Sequence, residues 1–195
     1  MRFKTYLDRE KSHNLTRVTE LLMGLCTDQL RNLLRSYIPA AKFPAVMQRM
    51  MSRLPRLTET QRELILPNSG VYSGNYDDMD INLLYILLRN ICGIQAHNKG
   101  WGNAPDSADR SVSANIERFR LTLNRSVYSA CGMSNAYFNQ VWSEITAAVV
   151  DLDETLGIGN KYQDGVDTID PVMERRYKEQ LLERKKYMID SLESM

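Results

Sequence analysis

The sequence predicts an all-α protein. Apolar residues recur at the three- and four-residue spacing of a helix in every long segment, and no segment shows the alternation typical of a strand. Proline and glycine lie between these segments, where helices end. With 195 residues and 43% hydrophobic residues, the chain is long enough to bury one substantial core.

The first half of the chain predicts three helices. The first runs from Asn14 to Ile38 and stops at a proline, and the second runs from Pro44 to Leu54, with proline at its first position. A third begins at Thr58, which forms a capping box with Gln61, and it ends before Pro67. The Gly-, Ser- and Asn-rich segment 68–78 is a predicted loop.

Residues 78–91 predict the central helix, because two apolar stripes cover most of its circumference. A charge at Arg89 is unusual on such a helix. Either Arg89 and Asn90 bond to loop carbonyls and reach the surface, or Arg89 points into a cleft. In the loop after this helix, Trp101 lies between two glycines as a plug on the end of the bundle or as a contact residue.

Residues 113–128 predict an amphipathic helix. Its core stripe consists of Ile116, Phe119, Leu123, Val127 and Ala130. Arg118 and Arg125 lie on the opposite face, where charges are normally solvated, whereas Arg120 and Asn124 flank the stripe. We expect Leu88 and Leu123 to be buried, each facing the other's helix.

The helix predicted after the amphipathic one runs from its cap, Ser134, to Gly157. We expect three regions: a bundle over residues 1–156, a linker over 157–169 and a last helix over 170–195, which starts at Asp170-Pro171. This last helix has a thin apolar stripe. It could pack on the bundle, lead into a coiled coil or pair with a second copy.

Charge is unevenly distributed along the chain. Residues 1–56 hold 11 Lys/Arg and 4 Asp/Glu, and residues 57–169 hold 8 and 14. The basic third could meet nucleic acid or an acidic partner, but no dense basic run exists, so we expect it to complement the acidic middle. Widely spaced Cys26, Cys92 and Cys131 predict buried free thiols in a cytoplasmic protein. Neither a secretory signal nor a membrane span is expected.

Several kinds of site are excluded by the residues available. With only His13 and His97, the chain has no zinc-binding pattern, and it has no glycine-rich phosphate loop. We therefore expect no metal and no cofactor. The acidic residues Asp77, Asp78 and Asp80 could hold a cation, but helix capping explains them better.

Four fragments in order resemble a known family. They are LLYILLRNI (83–91), GWGNAPD (100–106), NIERFRLTLNRSVYS (115–129) and FNQVWSEI (138–145). Together they resemble the DZIP-type HEPN domain (higher eukaryotes and prokaryotes nucleotide-binding), named from an RNA-binding ubiquitin ligase. The resemblance covers about residues 14–156. It implies an antiparallel helical bundle, here with an additional C-terminal helix.

The resemblance also implies what the chain does. HEPN domains commonly dimerise, and active members are metal-independent ribonucleases with the motif Arg-Asn followed by His. Here Asn124 matches the Asn, Leu123 replaces the Arg, and residues 127–130 lack a His. We therefore expect no catalytic residues and a silent interaction module that forms a homodimer, with an unknown protein partner. RNA is a further candidate ligand.

The first alternative to an interaction module is an RNA-binding domain, in which Arg118, Arg120 and Arg125, with Asn124 beside them, bind phosphates. The remaining alternative is a working ribonuclease. Arg89, Asn90 and Trp101 are candidates for a cleft.

Overall fold

The computed structural model describes residues 2–68, 70, 75–127, 129 and 131–169, with side chains from residue 8 onward. It confirms the all-α fold, and the described residues contain no strand. The helices are α1 (Arg2–Leu21), α2 (Thr27–Tyr37), α3 (Phe43–Met50), α4 (Glu59–Ile65), α5 (Ile81–Ile91), α6 (Val112–Val127) and α7 (Asn135–Leu156). α5 packs between α2 and α6, and α7 packs against α1, α2 and α6.

Side-chain caps that the sequence predicts fix the starts of three helices, α4, α5 and α7. Thr58 and Gln61 form the expected capping box at α4, and the Asp80 carboxylate accepts the Leu83 amide at the start of α5. Ser134 caps α7 in the same way. Gly157 ends that helix in the left-handed conformation at φ 64°, which glycine adopts without steric cost.

The first predicted helix differs from the structure in two ways. It begins at Arg2 rather than Asn14, and a π-helical turn over Leu22–Cys26 separates α1 from α2. The Thr27 hydroxyl donates to the Leu22 carbonyl at 2.7 Å within this turn. The turn keeps Leu22 and Cys26 fully buried, so both halves of the predicted stripe face the core.

The core surrounds α5. Leu88 and Leu123 are both buried, as expected, on two helices that pack together. The prediction for the end of α6 was wrong, because Val127 is 70% exposed. It occupies the last position of the helix, where none of the described elements covers the stripe. Ala130, the next member of the stripe, lies outside the described residues.

The expected linker is wrong in its second half, since residues 161–169 are helical. Buried Asp153 on α7 accepts the amides of Tyr162 and Gln163, each at 3.0 Å, and so satisfies two donors at the start of this helix. Tyr162 and Val166 are buried in the core. The segment therefore belongs to the bundle. The predicted last helix over 170–195 lies outside the described residues.

Part of the basic N-terminal third does meet the acidic middle. Arg35 pairs with Asp77 at 2.7 Å, and Arg31 donates to the Met79 carbonyl at 2.9 Å. The cysteines are all free thiols, but only Cys26 is buried, and Cys131 is exposed on the turn after α6, where burial was expected. No helix within the described part of the chain is long and apolar enough to cross a membrane.

Candidate functional site

A fully buried carboxylate on α6 ties the glycine-tryptophan loop to the bundle. Glu117 Oε2 accepts the Tyr85 hydroxyl of α5 at 2.9 Å and the Gly102 amide at 3.0 Å. Its Oε1 accepts Arg120 Nε at 2.7 Å and also pairs with Arg120 Nη2. Because both oxygens are paired, the buried charge is compensated. Glu117 therefore joins α5, α6 and the loop at one point.

The ring of Tyr85, beside this carboxylate, contacts one cationic and one aromatic side chain. The Arg120 guanidinium lies 4.6 Å from its ring centroid, and the Trp101 ring meets it edge-on at 5.8 Å. Burial raises the pKa of the Tyr85 hydroxyl, and the negative charge of Glu117 raises this pKa further. Tyr85 thus remains a protonated donor to Glu117 at neutral pH.

The three candidate cleft residues lie at the edge of this network. Arg89 is exposed and donates to no loop carbonyl among the described residues; its Nη1 donates to the Tyr85 hydroxyl at 3.2 Å. Asn90 is half-buried and donates to the Ile86 carbonyl of its own helix at 2.7 Å. Trp101 is half-buried against Tyr85 and against the His97 ring at 6.4 Å. Its position fits a plug on the bundle.

Arg118 is placed where the sequence did not predict it. A solvated face was expected, but the side chain is only 8% exposed, because the loop before α6 folds over it. Its Nη1 donates to Asn115 Oδ1 and its Nη2 to the Asp106 carbonyl, both at 2.7 Å. Burial lowers the pKa of the Arg118 guanidinium. Two adjacent residues of α6 therefore bind the loop to the helix: Glu117 binds it at Gly102, and Arg118 binds it at Asp106.

His97 lies buried inside the same loop. Its Nδ1 accepts the Lys99 amide at 3.3 Å, and its Nε2 has no hydrogen-bond partner among the described residues. Nearby, Asp109 accepts the amides of Asn98 and Ser111, each at 3.0 Å, and these bonds lower the pKa of its carboxyl to about 2. The loop is thus ordered by its own polar contacts.

A cleft of about 210 Å³ opens between the loop, α6 and α7, and we call it the arginine cleft. Three arginines and one glutamate contribute to its lining, which consists of Ala104, Pro105, Ser107, Arg110, Arg118, Leu121, Thr122, Arg125 and Glu144. Arg118, Thr122 and Arg125 share one face of α6 through their spacing of four and three residues.

The cations of the arginine cleft differ in their availability. Arg118 donates to Asn115 and to two loop carbonyls, and Arg110 pairs with Asp151 at 2.6 Å and donates to the Ala147 carbonyl at 2.7 Å. Arg125 is exposed and makes no ion pair or hydrogen bond with a described residue. An anion entering the cleft would therefore meet Arg125 first.

The structure separates the four candidate RNA-binding residues. Arg118 and Arg125 line the arginine cleft, whereas Arg120 is held by Glu117, and half-buried Asn124 is not among the lining residues. Sequence reasoning did not identify Glu117, Arg110 or Glu144. The three-residue spacing of Glu117 and Arg120 signals their pairing. Nothing in the sequence shows that a loop amide joins them.

The described residues contain no group of three His, Cys, Asp or Glu side chains placed to hold a metal ion.

A comparison with family models matches residues 30–177 to the model described as DZIP3/hRUL138-like HEPN, which is well over half of the chain. The chain belongs to this HEPN family. Searches of curated proteins and of solved structures return no match for the HEPN domain described here. The matched range extends beyond residue 156, which agrees with the packing of residues 161–169 into the bundle.

Proposed function

We propose that this HEPN domain is a catalytically silent interaction module. The observation that carries the proposal is the position of Leu123. It stands where the resemblance expects the motif arginine, and it is 7% exposed in the core. An arginine there would need a buried partner, because an uncompensated buried charge is costly. The chain has thus placed a packing residue at that position, and residues 127–130 are Val-Tyr-Ser-Ala.

Other side chains of this chain are poor substitutes for the motif arginine and histidine of active HEPN domains. Cleavage at a 2′-hydroxyl needs a group that exchanges a proton near neutral pH, which histidine does unaided. His97 is buried between the Lys99 amide and Trp101, within the loop rather than in the arginine cleft. His13 lies on α1. Arg125 stays protonated and cannot act as a base.

We expect no cleavage of mixed single-stranded RNA by the purified chain, with or without a chelator. The measurement is gel analysis of labelled RNA over several hours. Chelator-resistant cleavage that disappears in His97→Ala would contradict the proposal and make His97 the base. Cleavage that survives that substitution but is lost in Arg125→Ala would also contradict it, and would indicate phosphate stabilisation without a histidine.

RNA binding without cleavage is the second candidate function. The supporting observation is that Arg118 and Arg125, two of the predicted phosphate ligands, line the same cleft as Arg110. Filter binding of single-stranded RNA against salt tests it, since each phosphate contact adds about −0.7 to the log–log slope. Arg125→Ala should flatten the slope, and Lys161→Ala, which removes an exposed cation elsewhere, should not. A salt-independent signal would exclude this function.

The interaction we propose first is between two copies of the chain. HEPN domains resembling this one commonly dimerise, and α6, which carries the motif position, ends in Val127 with 70% of its surface exposed. Single exposed apolar residues are ordinary on protein surfaces, so the dimer proposal rests on the family resemblance, and Val127 is the contact residue to substitute. Three free thiols support a cytoplasmic, reducing environment for this module.

A further inference from the structure

A continuous segment of the chain is cationic without compensation. From Gln29 to Thr58 the sequence contains six Lys/Arg and no Asp/Glu. Two of the six, Arg31 and Arg35, are bound by Met79 and Asp77. The other four are exposed and form no ion pair with a described residue; they are Lys42, Arg49, Arg53 and Arg56. Because no acidic group of the described chain pairs with these four residues, they form a positively charged surface, which we call the cationic surface.

A groove of about 760 Å³ begins at the end of this cationic surface, between the turn after α3 and the start of α4. We call it the α4 groove. Its apolar lining consists of Met51, Leu54, Pro55, Leu57 and Leu66, and its polar lining of Arg56, Glu59, Arg62, Glu63 and Asn68. The four larger apolar side chains pack partly on the core and remain half-exposed. The described residues thus leave part of the apolar floor of the α4 groove uncovered.

We infer that the α4 groove and the adjacent cationic surface bind an acidic amphipathic helix of a partner protein. An apolar floor accepts one face of such a helix, as in other helix-in-groove complexes. Arg56 lines the groove, and Arg53 lies three residues before it; both are exposed, and their guanidinium groups would meet carboxylates on one edge of that helix. Charge complementarity therefore selects an acidic partner and the groove selects an amphipathic one.

The lining favours a protein over a nucleic acid. Single-stranded nucleic acids stack their bases on aromatic side chains, and none of the described residues that line the α4 groove is aromatic. A phosphate backbone would also leave the four apolar side chains of the floor exposed. An amphipathic helix covers the floor and the cations together.

The polar rim also orients the partner. Glu59, Arg62 and Glu63 line the groove from α4, so two carboxylates outnumber one guanidinium there, whereas Arg56 precedes that helix, with Arg53 three residues before it. A helix with carboxylates on both edges would be repelled at α4. The preferred partner carries acidic residues on the edge facing Arg53 and Arg56 and neutral or basic residues on the edge facing α4.

Selection from a phage library of random 16-residue peptides on the full chain tests this inference without assuming a sequence. Enriched peptides should combine helically spaced leucine, isoleucine or phenylalanine with Asp/Glu on one edge. The affinity of a labelled enriched peptide, measured by fluorescence anisotropy, should fall at least about tenfold in the Arg53→Glu/Arg56→Glu variant. The milder Arg53→Gln/Arg56→Gln variant should weaken binding in the same direction.

The matched control changes the same charge elsewhere. Arg9→Glu/Lys161→Glu alters two exposed cations outside the α4 groove and should leave peptide affinity within about twofold. Enriched peptides without an acidic bias, or equal losses in control and test variants, would overturn the inference. It would also be overturned if the Arg53→Glu/Arg56→Glu variant kept peptide affinity and lost binding to a 20-nucleotide single-stranded RNA.

Discussion

Replacing Leu88 with alanine should lower the free energy of unfolding by about 2–5 kcal/mol, and Leu123→Ala should have an effect in the same range. Both side chains are buried where α5 and α6 pack, so truncation removes apolar contacts and leaves a cavity. Urea unfolding followed by circular dichroism measures the change, with the slope m checked for constancy.

Val127→Ala is the control for these two substitutions. It also removes apolar atoms from α6, but from a side chain that is 70% exposed in the single chain, so at about 1 μM, below the range in which the proposed dimer forms, we expect a change within about 0.5 kcal/mol. A change at Leu88 or Leu123 as small as that at Val127 would contradict the packing of α5 against α6.

Glu117→Gln should destabilise the fold by about 3 kcal/mol, although the shape of the side chain is kept. The carboxylate accepts bonds from Tyr85, Gly102 and Arg120, all of which are donors. The amide NH₂ of glutamine would face a donor at one of these places, and the Arg120 guanidinium would lose its counter-charge. Thermal and urea unfolding measure the loss of stability.

Glu144→Gln makes the same chemical change at an exposed side chain of α7 and should alter the free energy of unfolding by no more than about 0.5 kcal/mol. Hydrogen exchange adds a local readout, because the Gly102 amide should exchange faster in Glu117→Gln. Equal stability of the two variants, together with unchanged protection of Gly102, would show that Glu117 does not anchor the loop.

Local signals predicted most of the helical framework. The cap at Thr58, the stop at Gly157 and the stripe through Leu88 depend on residues close in sequence, so their patterns are readable. Residues 161–169 belong to the expected linker over 157–169, but they form a helix. Their helix depends on the Asp153 carboxylate, and only the tertiary fold brings that group to their amides.

The candidate site was predictable only in part, for the same reason. Helical spacing places Arg118 opposite the core stripe, but it does not show that the preceding loop returns to cover that face. The pairing of Glu117 with Gly102 likewise joins residues whose contact depends on the path of the loop. By contrast, Arg125 is exposed as expected, since no described element covers the last turn of α6 there.

Self-association is the central claim of the proposed interaction module, and light scattering of the purified chain tests it most directly. At tens of micromolar, the range in which moderate interfaces are filled, we expect the mass of a dimer. Val127→Asp should shift that mass towards the monomer. Val150→Asp, which changes an exposed side chain of α7, should not. Deleting residues 170–195 tests whether the bundle alone makes the contact. A wild-type chain with the mass of a monomer at these concentrations would contradict the account.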